Sequence, residues 1–66
     1  MKNRVKIIRV EKGITQGDLA EKISVSRQTI HAIESGKYIP STLLALKLSK
    51  VLGKDVDELF ALEKGD

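Results

Sequence analysis

Arg27 and Gln28 stand side by side directly after Ser26, and both can grip a nucleic-acid base edge through paired hydrogen bonds. An arginine guanidinium matches O6 and N7 of guanine, and a glutamine amide matches N6 and N7 of adenine. His31, one turn further on, can donate to a base or a phosphate, while its neighbour Ala32 can only touch a thymine methyl or clear space. Gln16 offers an amide, and Thr15, Ser26 and Thr29 offer hydroxyls, all suited to phosphate oxygens. Lys37 and Tyr38 follow a few residues later, where a flanking phosphate would pass. Each of these residues also has an ordinary reading. Arg27, Gln28, His31 and Gln16 can be solvated helix residues, Lys37 can favour a helix C-terminus, and Tyr38 can pack over its loop. Other chemistries find no support. There is one histidine and no cysteine, hence no metal set, and no Ser/His/Asp arrangement or phosphate-cradling glycine-rich loop. The chain reads as a non-enzyme with no cofactor and no inferable small-molecule ligand.

These side chains need elements to position them. The stretch from Thr15 to Lys37, TQGDLAEKISVSRQTIHAIESGK, reads as two short amphipathic helices joined by a tight turn at Ser24 and Val25. Thr15 caps the first, with Asp18 completing an approximate capping box, and Leu19, Ala20 and Ile23 form its buried stripe. Ser26 caps the second, Ile30 and Ile33 point inward, and Gly36 ends it. Arg27, Gln28, His31 and Ala32 then face outward. This is a helix-turn-helix layout at about residues 15–36, in which the second helix enters the DNA major groove. Gly17 costs about 1 kcal/mol against alanine in the first of these helices. It either lets a DNA backbone come close or is a tolerated small residue.

Three further helices are expected around this pair. Asn3 can cap one that runs to about Lys12 and ends at Gly13, with Val5 and Ile8 on one face and Arg9 beside them. Pro40 and Ser41 open another, striped by Leu44, Ala45, Leu48, Val51 and Leu52 and closed by Gly53. Asp55 with Glu58 starts a short last helix through Leu59, Phe60 and Leu62. Strand alternation is absent over any useful length. The fold class is therefore all-α, a five-helix bundle forming one domain over residues 1–66.

Composition is consistent with a polyanion partner. Residues 1–40 hold eight Lys/Arg against four Asp/Glu (+4), whereas residues 41–66 hold four against five (−1). The basic half contains the helix-turn-helix. No apolar run exceeds four residues, as in Leu43 to Leu46, so no segment spans a membrane, and charges throughout the first twenty residues exclude a signal-peptide core. The absence of cysteine fits a reducing compartment, and a cytoplasmic location is expected. A chain this small buries only about 60% of its unfolded surface, which makes dimerisation an expected source of stability.

The segments RVKIIRVEKGITQGDLAEKI, VSRQTIHAIESGKYIPS and LALKLSKVLGKDVDELF resemble the phage-repressor/Cro-type, or XRE-type, helix-turn-helix family over residues 4–62. The resemblance implies a compact five-helix domain, usually dimeric on DNA. It implies a phosphate contact for Gln16 and base contacts for Arg27 and Gln28. It also implies an ion pair between Arg9 and Glu34, which read from sequence alone would be surface charges. Ser24 departs from the pattern, since many members carry glycine there, and a serine forced to positive φ adds strain. Ile7 and Val10 stand where relatives usually carry polar residues.

The expected function is sequence-specific binding of double-stranded DNA by a transcriptional repressor, as a homodimer on a palindromic operator. The alternatives are the antitoxin of a toxin–antitoxin pair and a protein-interaction adaptor that keeps the fold. The dimer contact is expected at Phe60 and Leu62, with Ile7 and Val10 contributing. A rival placement uses the fourth helix or the loop after Gly36.

Overall fold

Hydroxyl caps and left-handed stops written into the chain set most of its helix boundaries. In the computed structural model, which describes all of residues 1–66, the order is β1 (Lys2–Asn3), α1 (Val5–Glu11), α2 (Gln16–Lys22), α3 (Arg27–Glu34), α4 (Thr42–Leu52), α5 (Val56–Leu59) and β2 (Phe60–Ala61). Thr15 Oγ1 accepts the Asp18 N–H at 3.0 Å while the Asp18 carboxylate accepts the Thr15 N–H at 3.3 Å, a reciprocal cap on α2. Ser26 Oγ accepts the Thr29 N–H at 3.1 Å to open α3, and Ser41 Oγ accepts the Leu44 N–H at 3.2 Å to open α4.

The ends of α1 to α4 share one geometry. After α2 the Val25 N–H reaches back to the Ala20 carbonyl and the Ser24 N–H to that of Glu21, which is a Schellman motif. Equivalent bonds run from Ile14 to Arg9 after α1, from Lys37 to Ala32 after α3 and from Lys54 to Ser49 after α4. The motif needs a left-handed residue at its bend. Gly13, Gly36 and Gly53 fill that place at φ 70°, 80° and 68°, and Ser24 fills it at 60°.

The apolar stripes meet in one core of Val5, Ile8, Leu19, Ala20, Ile23, Ile30, Ile33, Leu48, Leu52, Leu59 and Phe60. Val25, Leu44, Ala45, Val51 and Val56 pack around it, half-buried. The five-helix all-α class stands.

Three sequence expectations need correction. Asn3 does not cap the first helix, which has Arg4 at its N-cap without a side-chain bond and ends at Glu11. Asn3 lies in β1, where its Nδ2 donates to the Ile33 carbonyl at 2.9 Å and its Oδ1 accepts the Val5 N–H at 3.3 Å. The amide thus ties the N-terminal segment to the end of α3 and to the first N–H of α1, from one residue before the N-cap position. Secondly, the chain contains a two-stranded antiparallel ladder pairing Lys2 with Ala61 and Asn3 with Phe60. It is too short to show as alternation. Thirdly, α5 stops at Leu59, so Phe60 and Leu62 are not helical. Phe60 turns to φ −129°, ψ 141°, which lets its ring enter the core as its backbone joins β1.

Candidate nucleic-acid interface

The start of α2 is held against the end of α3 by Glu34, the last residue of α3. Its carboxylate is nearly sealed from solvent, with a side-chain exposure of 3%, and that of Arg9 is 10%. Arg9 Nε donates to Glu34 Oε2 at 2.6 Å, and a second guanidinium nitrogen donates to Oε1 at 3.3 Å. The third arm of the fork donates to the Ile14 carbonyl at 2.7 Å, across the bend that ends α1. Gln16 Nε2 then donates to Glu34 Oε1 at 2.9 Å. One buried acid thus joins α1, the entrance of α2 and the exit of α3, and no buried side-chain nitrogen or oxygen lacks a partner. A planar fork bonded to a carboxylate twice fixes orientation as well as distance.

With α2 anchored in this way, Gln16 and Arg27 line one open groove of about 760 Å³ together with Lys6, Arg9 and Gly17. Gln16 and Arg27 belong to different helices, so their meeting is a product of the fold. Lys6 was not singled out from the sequence. Its one signal was position, on the basic N-terminal helix one turn from Arg9. A Cβ added at Gly17 would touch only Thr15 Oγ1, at 3.8 Å, so the fold itself does not require glycine there.

The other candidate residues are placed as follows. Arg27, Gln28 and His31 are exposed along α3. Ala32, expected to face outward, is half-buried, and its carbonyl accepts the N–H groups of Lys37 and Tyr38. Its place beneath the folded-back loop explains the difference. The Thr15 and Ser26 hydroxyls are engaged as helix caps, and Thr29 Oγ1 lies 3.0 Å from Ser26 Oγ. Lys37 and Tyr38 lie in the exposed loop after α3.

The apolar residues separate into two sets. Phe60, expected at a dimer contact, is only 9% exposed, because its ring packs into the core of its own chain. Ile7, Val10 and Leu62 remain exposed at 54%, 58% and 83%. Val10 lines the groove of Gln16 and Arg27, so a partner seated on it would compete for that groove. A second cluster was legible only as the rival placement. Ile39, Leu43 and Leu46 are each 57–62% exposed, and Ile39 and Leu46 border an apolar groove of about 370 Å³ shared with Pro40, Ala45 and Val56.

This architecture, two capped helices at a left-handed turn with a buried Arg–Glu brace, defines a helix-turn-helix protein. A helix-turn-helix family model matches residues 5–59, and the chain belongs to that family, in its XRE-type branch. An HTH-type transcriptional regulator of Methanocaldococcus jannaschii is 51% identical over 63 residues, covering 96% of each chain. The HTH-type transcriptional regulator YgzD of Bacillus subtilis is 47% identical over 64 residues, covering 97% of each. Among solved structures, the restriction-modification controller protein C.AhdI of Aeromonas hydrophila superposes with a TM-score of 0.79 at 32% identity, over 86% of each chain. The SinR/SinI complex gives 0.80 at 36% identity, over 94% of this chain and 60% of that one. The fold is that of DNA-binding transcriptional regulators. No helix is long and apolar enough to cross a membrane.

Proposed function

We propose that this chain is a non-enzymatic, sequence-specific repressor that occupies a palindromic operator in double-stranded DNA as a homodimer. The observation that carries the reading is the shared groove of Gln16 and Arg27, beside the exposed face of Arg27, Gln28 and His31. In this reading Arg27 and Gln28 read base edges from the first turn of α3, with His31 and Ala32 further along. Gln16, Lys37 and Tyr38 hold backbone phosphates in this reading, together with the hydroxyls of Thr15, Ser26 and Thr29.

One eight-residue recognition helix reads too few base pairs to single out a site in a genome. A two-fold dimer doubles the reading and sets the two helices about 34–36 Å apart. The exposed Ile39, Leu43 and Leu46 supply the contact in this reading, because Ile39 and Leu46 border one apolar groove and, unlike Val10, none of the three lines the groove of Gln16 and Arg27. The reading thus moves the contact from Phe60, Leu62, Ile7 and Val10 to the start of α4 and the loop before it. Selection of bound sequences from a random duplex pool tests the function. Enrichment of an inverted repeat with half-sites one helical turn apart is expected. A pool that enriches no sequence defeats the reading, and an enriched site without symmetry defeats the dimer.

A further inference from the structure

We propose that Glu34 acts as a positioning residue for DNA, by holding the Gln16 amide ready to donate to a backbone phosphate. The inference rests on the DNA-binding reading above and adds a role for a residue that cannot itself reach DNA. Glu34 is buried at the end of α3 and bonded twice by Arg9, yet one of its oxygens also accepts from Gln16 Nε2 at 2.9 Å. An ionised carboxylate only accepts, so this contact fixes which end of the amide faces inward. A primary amide carries two N–H groups. One is held by Glu34, and the other belongs to a side chain that lines the open groove beside Lys6 and Arg27.

A glutamine on a surface helix ordinarily samples several rotamers and loses that freedom when it binds. Holding the amide beforehand moves that cost from binding to folding, which favours affinity. The bond to an anion also polarises the amide, and the free N–H becomes a better donor to a second anion. Arg9 completes the device. Its cation balances Glu34 and brings the carboxylate to the entrance of α2, while its third bond, to Ile14, fixes the chain just before Thr15.

The test is a cycle of four proteins: wild type, Gln16→Met, the apolar replacement Arg9→Met/Glu34→Leu, and the triple variant. The apolar replacement removes both charges together, so neither is stranded in the interior. Each protein binds an operator duplex, taken from the selection above, at fixed salt. Gln16→Met is expected to weaken binding about tenfold in the wild type, as for loss of a bond to a charged group. The apolar replacement should weaken it by about three- to tenfold, the ordering cost of a freed side chain. Gln16→Met should then cost at most about threefold in that background. Amide NMR gives a readout that a purely structural role would not move. The free wild type should show a rigid Gln16 side-chain NH2 with one slowly exchanging proton, and the apolar replacement a mobile one. An equal penalty for Gln16→Met in both backgrounds, or a mobile Gln16 amide in the wild type, overturns the positioning role. If Gln16→Met binds DNA as tightly as wild type, the phosphate contact itself is absent and the inference falls with it. Selection of an operator by that variant would still leave base reading by α3 standing.

Discussion

Replacing Ser24 with glycine should make this protein more stable. Ser24 occupies the bend of the Schellman motif after α2 at φ 60°, the place that glycine takes after α1, α3 and α4. An L-residue with a Cβ loses about 1–2 kcal/mol there through contact with the following carbonyl. The hydroxyl offers no compensation, because the exposed Ser24 side chain makes no hydrogen bond. Glycine takes back about 0.4–1 kcal/mol, since its unfolded chain has more freedom to lose. The net gain is therefore about 0.5–1 kcal/mol. Unfolding entropy of about 2.1 cal/mol/K per residue gives roughly 0.14 kcal/mol/K for this chain, so Tm should rise by about 4–7 °C. Calorimetry together with urea titration measures it. Ser24→Ala is the control, because it removes the hydroxyl and keeps the Cβ, and it should leave Tm within about 2 °C. A glycine variant no more stable than wild type would refute the strain.

Four further outcomes are expected. Arg27→Ala or Gln28→Ala should cost about 1–3 kcal/mol on the preferred operator and flatten preference at one position, whereas Lys37→Ala should weaken all duplexes alike and lower the salt slope by about one; filter binding across salt and mutated sites separates the two behaviours. Glu34→Leu alone strands the buried Arg9 cation and should lose about 3–5 kcal/mol, much of the stability of a domain this size, while Arg9→Met/Glu34→Leu recovers most of it in urea melts. Leu46→Asp, at a site 57% exposed, should stay folded and sediment as a monomer at micromolar concentration, and Leu62→Asp should remain dimeric; the opposite pattern would place the contact on the tail. The Met1 amine bonds Glu63 and Asp66, in that order of effect, and its pKa rises above the usual 8.0. The Glu63 N–H and the amine hold the Asp66 carboxylate below its usual 3.8. The clasp is thus complete between these limits, lost as pH climbs through the raised amine pKa and lost as pH falls through the lowered Asp66 value. Glu63 and Asp66 amide shifts followed by NMR should move at both ends and stay flat between.

The helix-turn-helix was legible in the chain because its determinants are local. Thr15, Ser26 and Ser41 cap the helix N–H groups within three residues of themselves, and Gly36 and Gly53 stop helices through bonds that span five. The inward stripe of Leu19, Ile23, Ile30 and Ile33 follows from helical period, and so does the exposure of Arg27 and Gln28 opposite it. Where partners lie far apart in sequence, local pattern fails. Arg9 and Glu34 are 25 residues apart, and their periodicity is that of any surface charge. Only the family resemblance implied their pairing, and only the packing of α1 on α3 buries it. Asn3 has the chemistry of a helix cap, yet its Nδ2 donates to the Ile33 carbonyl 30 residues away, a partner that only the packing of the N-terminal strand beside the end of α3 supplies. Phe60 fits the end of an apolar helix in sequence, but the same ladder turns it out of α5 and into the core. Caps, stops and stripes depend on neighbours along the chain, and the sequence by itself determined them. The brace, the ladder, the groove of Gln16 and Arg27 and the uncovered face of α4 depend on which surfaces meet, and the tertiary structure alone decided them.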